Sequence, residues 1–324
     1  MRPGNLWFPL MSWHDKAASA VRLVTIDAER SGQRLDNFLL AVLKGVPRTH
    51  IYRIVRKGEI RINKGRRKAD YRLQTGDVVR IPPIEVKAPP PPAPDLAWLP
   101  NRILFEDDWL LVLDKPAGMA VHGGSGLSFG VIEAMRALRP AARGLELVHR
   151  LDRQTSGCLL IAKRRSALRG LQESLRAGRF GKHYMALLQG VLTGGARTVD
   201  APLLRRDAGE RRVVVDAAGK PAQTHFTPCR RFPDATLVDV RLGTGRTHQV
   251  RVHAAHLGCP VAGDERYGDP KMNGVWKQRG LTRLFLHAAR LSFPHPASGE
   301  TVDIEAPLPK DLVRVLESLD AQGL

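Results

Sequence analysis

Residues 147–162 are Leu-Val-His-Arg-Leu-Asp-Arg-Gln-Thr-Ser-Gly-Cys-Leu-Leu-Ile-Ala, and this stretch carries the most specific pattern in the chain. Apolar runs flank a polar segment that ends in Ser-Gly, which predicts a strand, a tight loop and a second strand. The loop places the carboxylate of Asp152 between Arg150 and Arg153. Neighbouring positive charge favours an ionised carboxylate, which suits a nucleophile or base better than a proton donor. On composition alone, a structural Asp–Arg pair is the simpler interpretation.

The composition is that of a globular and strongly basic protein. The chain has 324 residues, 43% of them hydrophobic, and 51 Lys and Arg against 32 Asp and Glu give a net charge of +19. This excess indicates a polyanionic partner, nucleic acid first and an anionic membrane second. No apolar run approaches the roughly 18 residues of a membrane-spanning helix. The three scattered cysteines predict neither a disulfide framework nor a thiolate metal site, so a reducing cytoplasm is the expected location.

Residues 24–86 are predicted to form a small unit. Helices are expected over 35–43 and 49–57, and strands near 60–62 and 78–81. Between positions 44 and 72, eleven basic residues are opposed by only two acidic ones. A surface this one-sided is typical of phosphate binding, since ordinary solvated surfaces mix both signs. The predicted RNA-binding side chains are Arg48, Arg53, Arg56, Lys57, Arg66, Arg67 and Lys68.

A proline-rich segment separates this unit from the rest of the chain. Lys-Ala-Pro-Pro-Pro-Pro-Ala-Pro at 87–94 favours an extended spacer, with a ligand for an SH3-type domain as the weaker alternative. The predicted organisation is a disordered extension over 1–23, the small unit over 24–86, a linker over 87–100 and a larger unit over 101–324.

Two further patterns suggest other chemistry. Residues 126–130 match the Gly-x-Ser-x-Gly of serine hydrolases, but several loop residues precede Ser128, so we expect it to cap a helix beginning at Phe129. His248, His253 and His256 suggest a metal site. No Cys or acidic ligand accompanies them at ligand spacing, so no metal is predicted.

Four motifs, taken together, resemble the RluA/RluC/RluD family of RNA pseudouridine synthases, and most of all its RluC branch. The small unit is similar to the RNA-binding domain shared by a small-subunit ribosomal protein and tyrosyl-tRNA synthetases. The four motifs are Lys-Pro-x-Gly at 115–118, His-Arg-Leu-Asp-Arg-x-Thr-Ser-Gly at 149–157, Lys-x-Tyr-x-Ala at 182–186 and Gly-Arg-x-His-Gln-x-Arg at 245–251.

The resemblance implies an α+β fold, with a mixed, mainly antiparallel sheet, a central cleft and the small N-terminal α/β RNA-binding domain. It implies a monomeric enzyme that needs no cofactor and converts uridines of large-subunit ribosomal RNA to pseudouridine, with Asp152 as the essential catalytic residue. The other site residues that it implies are Arg246 to pair with Asp152, Tyr184 and Leu286 to sandwich the base, Lys182 to contact the substrate and Arg150 to fill the space left by a flipped uridine.

Two functions from other classes remain open at this point. A non-catalytic, RNA-binding ribosome assembly factor would need the basic unit, but it would have no need for Asp152, Tyr184 and Arg246 together. A glycoside hydrolase would need a second carboxylate flanking the scissile bond, for which Asp264 is the only nearby candidate.

Overall fold

The computed structural model describes residues 21–43, 46, 48–84, 96–123, 129–142, 144–206 and 212–322, and the chain divides into a small unit (1–91) and a large unit (92–324). Several sequence predictions lie outside the described residues. They concern Ser128, residues 1–20, residues 87–95 and the side chain of Arg48. None of the described helices is both long enough and apolar enough to cross a membrane.

The small unit places two helices on a three-stranded antiparallel sheet in which β3 is central. Phe38 and Leu39 on α1, and Ile51 and Ile54 on α2, are buried in its core, because the helical repeat puts them on one face of each helix. The predicted helices and strands of this unit are confirmed. Its elements are β1 (Arg22–Thr25), α1 (Leu35–Val42), α2 (Arg48–Lys57), β2 (Arg61–Ile62) and β3 (Val78–Ile81).

The large unit is built on one sheet, in which ten strands pair within the described residues. The strands of the large unit, including two that lie outside this sheet, are β4 (Ile103–Glu106), β5 (Leu110–Lys115), β6 (Glu146–Leu147), β7 (Ser156–Ala162), β8 (Gly181–Gln189), β9 (Arg197–Asp200), β10 (Leu203–Arg206), β11 (Arg212–Val215), β12 (Gln223–Arg231), β13 (Ala235–Leu242), β14 (Leu286–Pro294) and β15 (Thr301–Glu305). Its helices are α3 (Val131–Leu138), α4 (Arg165–Arg176), α5 (Gln249–His256), α6 (Pro270–Gln278) and α7 (Lys310–Gln322).

The order along the sheet is β4-β5-β7-β14-β8-β13-β12-β9, with β6 on β7 and β15 on β14. Among the described strand pairs of this sheet, only β7 and β14 run parallel. The mixed, mainly antiparallel sheet is therefore confirmed. β10 and β11 form a separate hairpin. Every residue of β5 and β7 is buried, so the sheet is covered on both faces at its centre.

The strand, loop and strand predicted for residues 147–162 are present as β6, residues 148–155 and β7, although β6 has only two residues. The predicted start of the helix before this motif is wrong. Helix α3 begins at Val131 with Gly130 as its N-cap, rather than at Phe129. A side chain at Gly130 would lie 2.5 Å from the His122 backbone, so the close approach of these two segments requires glycine.

Candidate active site

The loop that carries Asp152, residues 148–155, is anchored by a buried lysine. Lys115 is fully buried, and its Nζ donates to the carbonyl oxygens of Pro116, Met119 and Arg153 at 2.8, 2.9 and 3.1 Å. Burial lowers the pKa of Lys115 to about 7, while the charge of Asp152 opposes this shift. Three carbonyl acceptors match the three N–H groups of the charged form. The Lys-Pro-x-Gly turn thereby fixes the backbone next to Asp152.

The loop ends at Ser156-Gly157, which the sequence predicts as a turn but which begins β7. Gly157 has φ +107°, and a Cβ there would lie 2.2 Å from the Ala288 carbonyl oxygen, so only glycine permits β7 to approach β14 this closely. Ser156 Oγ hydrogen-bonds His287 Nδ1 at 3.0 Å, and both side chains are buried. The end of the loop that carries Asp152 is therefore joined directly to β14.

The ionic partner of Asp152 is Arg251, in the first turn of α5. Its Nη1 donates to Asp152 Oδ2 at 3.3 Å, while Nε and Nη2 donate to the two oxygens of Asp264 at 2.7 and 2.8 Å. Burial disfavours the Arg251 charge, but its bonds to Asp264 and the charges of both carboxylates outweigh burial and raise its pKa. Burial alone would raise the pKa of Asp264. The hydrogen bonds and the charge of Arg251 outweigh burial, so the pKa of Asp264 is lowered. Asp264 thus fixes the plane of the charged Arg251 guanidinium, which donates a hydrogen bond to Asp152.

The expected pairing of Arg246 with Asp152 is not found. Arg246 is exposed, and its Nε donates to the Pro221 carbonyl oxygen at 3.1 Å. The physical reason is its position before the helix: its backbone N–H donates to the Gln249 side chain at 2.9 Å, as part of the turn that starts α5. Arg251 lies within the helix, so it is the second arginine of the motif that reaches the carboxylate.

His248 also faces Asp152 Oδ2, and Tyr267 contacts both His248 and Arg251. His248 Nε2 lies 3.8 Å from this oxygen, and its Nδ1 is hydrogen-bonded to the Tyr267 hydroxyl at 2.8 Å. The Arg251 guanidinium lies over the Tyr267 ring, 5.1 Å from its centroid. One tyrosine therefore contacts both groups that face the carboxylate.

Tyr184 and Leu286 lie on the same face of adjacent strands, since Leu286 is opposite Ala186 in the β8–β14 pair. Burial, followed by the charge of Asp152, raises the pKa of Tyr184, which keeps this phenol protonated. Leu286 is buried in the apolar cluster against which Tyr184 packs. Both are thus near one another, although Tyr184 is the one with an electrostatic link to Asp152.

Lys182 and Arg150 occupy different surroundings. Lys182 Nζ lies 3.5 Å from the Thr244 carbonyl oxygen, and burial followed by the charge of Arg246 lowers its pKa. Arg150 is exposed and precedes Asp152 by two residues. The structure therefore leaves Arg150 accessible to a ligand, whereas Lys182 lies against the loop before α5.

A cavity of about 590 Å³ opens beside Asp152. Its walls are mostly polar and charged, with Arg153, Gln154 and Arg283 among the donors. Leu281 and Leu284 supply apolar lining, whereas Leu286 is not among the described lining residues. The cavity offers space for a base beside a carboxylate, with several cations at its rim.

Geometry excludes the histidine metal site and the second hydrolytic carboxylate. His253 is fully buried, and its ring nitrogens are used by Thr224 Oγ1 at 2.8 Å and the Ala201 carbonyl oxygen at 3.0 Å. Asp264 is buried and bound to Arg251, so it cannot flank a sugar bond as an acid or base. Within the described residues no cluster of three potential metal ligands is found.

The predicted basic surface of the small unit is exposed wherever it is described. Arg67 lies over the Tyr71 ring, 5.2 Å from its centroid, and Arg53 Nη2 lies 3.2 Å from His50 Nε2. The exposed set is Arg53, Arg56, Lys57, Arg66, Arg67 and Lys68.

Sequence reasoning missed Arg251, Tyr267 and the anchoring role of Lys115, and it considered Asp264 and His248 only for other chemistry. Arg251 was visible as the second arginine of its motif, and Lys115 as the lysine of Lys-Pro-x-Gly. Nothing in the sequence signals that Asp264, thirteen positions after Arg251, holds its guanidinium.

Comparison with known proteins identifies the family of the chain. The profile described as RNA pseudouridylate synthase matches residues 109–256, and that of the S4 domain matches residues 33–79. A ribosomal large subunit pseudouridine synthase C from Yersinia pestis is 56% identical over 92% of this chain and 96% of its own length. Its counterpart from Escherichia coli (strain K12) is 53% identical over 93% of this chain and 97% of its own length.

Solved structures show the same fold. Human RNA pseudouridylate synthase domain containing 4 has a TM-score of 0.59 and 27% identity, covering 69% of this chain and 95% of its own. Human RNA pseudouridylate synthase domain containing 1 has a TM-score of 0.54 and 25% identity, covering 68% of this chain and 94% of its own. With relatives more than half identical over nearly its whole length, the chain belongs to the RluA/RluC/RluD family of RNA pseudouridine synthases.

Proposed function

We propose that this enzyme isomerises specific uridines of large-subunit ribosomal RNA to pseudouridine, with Asp152 as the catalytic carboxylate acting on a flipped-out uridine. The observation that carries the proposal is the partly exposed Asp152, held by Arg251 at the edge of a cavity of about 590 Å³. The substrate class is supported by relatives that are named for the large ribosomal subunit. A monomeric state and a cytoplasmic location stay predictions.

The reaction itself needs little besides a carboxylate and a pocket. The N1–C1′ bond breaks, the uracil turns, and C5 bonds to C1′, after which C5 loses its proton and N1 gains one. A carboxylate can attack the sugar, attack the base or remove a sugar proton, and each of these steps requires it to be ionised. Arg251 Nη1 donates to Asp152 Oδ2 at 3.3 Å and so holds the carboxylate in place beside the cavity.

The surrounding residues have separate roles in this proposal. Tyr184 and Leu286 hold the base, and Leu284, in the same apolar cluster as Leu286, lines the cavity. Lys182 contacts the substrate backbone. The exposed Arg150 fills the position that the uridine vacates when it leaves the RNA stack. Flipping costs a few kcal/mol, least for an unpaired base, so uridines in loops are the expected targets.

Tritium release tests the proposed function. Since C5 loses its hydrogen, large-subunit RNA transcribed with [5-³H]uridine should release tritium to water when the purified enzyme is added. Carbodiimide treatment and primer extension on RNA from a deletion strain should show the missing positions, and the intact gene should restore them. Release from small-subunit RNA or transfer RNA, with none from large-subunit RNA, would overturn the substrate assignment.

The basic surface of the small unit should set the salt dependence of RNA binding. Arg67→Gln with Lys68→Gln, in the full chain, should weaken binding and lower the slope of log affinity against log salt. Each lost phosphate contact lowers this slope by about 0.7 for single strands, against about 0.9 for B-form DNA duplexes. The matched control is Arg169→Gln with Arg176→Gln, two exposed arginines on α4. Equal slopes for the two double variants would show that this surface does not touch RNA.

Transition-metal chelation should leave turnover unchanged. The reason is that both ring nitrogens of His253 are hydrogen-bonded to protein oxygens, so the three histidines do not form a set of metal ligands. The measurement is tritium release after preincubation with 1,10-phenanthroline, which leaves the Mg²⁺ needed for RNA folding in place. A loss of turnover that zinc restores would contradict this.

A further inference from the structure

The two described contacts to Asp152 converge on one of its oxygens. Arg251 Nη1 donates to Oδ2 at 3.3 Å, and His248 Nε2 lies 3.8 Å from the same atom. No hydrogen bond to Oδ1 is found within the described residues. The carboxylate is therefore asymmetric: one oxygen faces two nitrogen groups, and the other remains available to a ligand.

His248 has an unusual backbone conformation for its position. It is the N-cap of α5, yet it adopts φ 56° and ψ 18°, a left-handed conformation, and its side chain makes no cap bond. N-cap residues usually have extended backbones and bond the helix end with their side chains. Among described residues other than glycine, only Asn63, Lys64 and His248 have positive φ, and the first two share a tight turn in the small unit. Outliers of this kind concentrate where function requires a particular side-chain direction.

The hydrogen bonds of Tyr267 determine which ring nitrogen of His248 carries the proton. The Val213 backbone N–H donates to the Tyr267 hydroxyl oxygen at 3.2 Å, so that oxygen already accepts one hydrogen bond. Burial raises the pKa of Tyr267, which keeps its own proton available for donation. The Tyr267 hydroxyl then donates a hydrogen bond to His248 Nδ1, at 2.8 Å. Because Nδ1 accepts this bond, the hydrogen of the neutral imidazole lies on Nε2.

Electrostatics favour the same tautomer. Burial lowers the pKa of His248, although Asp152 opposes the shift, so the ring is neutral at neutral pH. The other tautomer would point the bare Nε2 lone pair at an ionised carboxylate. An N–H on Nε2 instead points a hydrogen at Asp152, and hydrogen bonds of catalytic groups often shorten only when substrate is bound.

We propose that His248 is a positioning residue that, with its tautomer set by Tyr267, closes on Asp152 Oδ2 beside Arg251 and so leaves Oδ1 as the reacting oxygen. This inference rests on the proposed role of Asp152. When substrate binds, a small shift of the imidazole shortens the 3.8 Å separation to hydrogen-bond length, and two donors on Oδ2 then fix the rotation of the carboxylate. Substitution of His248 should therefore lower kcat and leave KM nearly unchanged, because His248 acts on Asp152 and not on RNA affinity.

Two variants of His248 separate this role from a structural one. Asn suits the left-handed backbone, but its amide is too short to reach the Nε2 position, whereas Gln reaches that position and suits the backbone less well. A purely structural role therefore predicts that His248→Asn is the more active variant. The positioning role predicts the opposite order. We expect His248→Asn to lose about 10- to 100-fold in kcat with KM little changed, and His248→Gln to recover much of the loss.

A double-mutant cycle tests the part of Tyr267. Tyr267→Phe removes the hydroxyl and keeps the ring against Arg251, so its loss of kcat should disappear when His248 is already Asn. Imidazole ¹⁵N spectra of the free enzyme should show the proton of the neutral His248 ring on Nε2, and a mixture of the Nδ1 and Nε2 tautomers after Tyr267→Phe. This spectroscopic result does not depend on activity.

The outcomes distinguish this inference from the proposed function. Equal activity of the Asn and Gln variants, or an Nδ1-protonated His248 in the wild type, overturns the inference while Asp152→Asn stays inactive. Full activity of Asp152→Asn overturns the catalytic role on which both depend.

Discussion

Asp152→Asn is expected to abolish pseudouridine formation while RNA binding persists. The amide is nearly isosteric with the carboxylate but cannot act as a nucleophile or base. Removing a negative charge beside a polyanion should leave RNA affinity unchanged or slightly tighter. Tritium release and filter binding on the same large-subunit RNA would measure the two effects separately.

The matched control for this variant is Asp303→Asn. Asp303 is a partly exposed carboxylate paired with Arg290 on the β14–β15 hairpin, distant in sequence from the loop that carries Asp152. We expect it to retain wild-type turnover, because exposed ion pairs contribute little. Turnover near wild type in Asp152→Asn would remove this residue from the mechanism.

Arg251→Lys should be the next most damaging change. The guanidinium uses three nitrogens on two carboxylates, and lysine keeps the charge but not the planar fork. We expect a loss of about 10²-fold in kcat, the size typical of removing a preorganised hydrogen-bond donor. Asp264, which is buried, would lose a partner, at a cost of about 1–3 kcal/mol in the free energy of unfolding.

Single-turnover kinetics and urea unfolding would measure both effects in the Arg251 variant. Arg290→Lys offers the control, since Arg290 also forks onto a carboxylate but lies half exposed. It should keep wild-type kinetics and stability within experimental error. Unchanged kcat in Arg251→Lys would show that the guanidinium fork does not orient Asp152.

Most of the fold could be predicted from local patterns. The helical periodicity of 35–43 and the alternation near 60–62 and 78–81 depend on neighbours in sequence, and the structure places elements there. The motif around Asp152 was found for the same reason. Local patterns also explain the error at Ser156-Gly157, since a glycine needed for close approach to β14 resembles a glycine needed for a turn.

The site could be predicted only in part, because its contacts join residues far apart in sequence. The motif contains two arginines five positions apart, and nothing local distinguishes Arg246 from Arg251. Which arginine pairs with Asp152 depends on where α5 starts and on the position of the buried Asp264. Both are determined by the tertiary structure. Tyr267 was missed for the same reason, since its contacts come from β11, α5 and the α5 N-cap.

The position of β14 between β7 and β8 has a consequence for synthesis on the ribosome. Ser156 meets His287, its partner 131 positions later, only after nearly the whole chain has emerged. Consecutive strands β7 and β8 cannot complete their sheet without β14, and such long-range pairing is slow to form. The small unit ends its last strand at Ile81, and its core and strand pairs lie entirely within residues 22–84. A nascent chain can therefore complete its S4 domain long before its candidate active site, and a truncated translation product that ends between Ile84 and β14 retains the first and lacks the second.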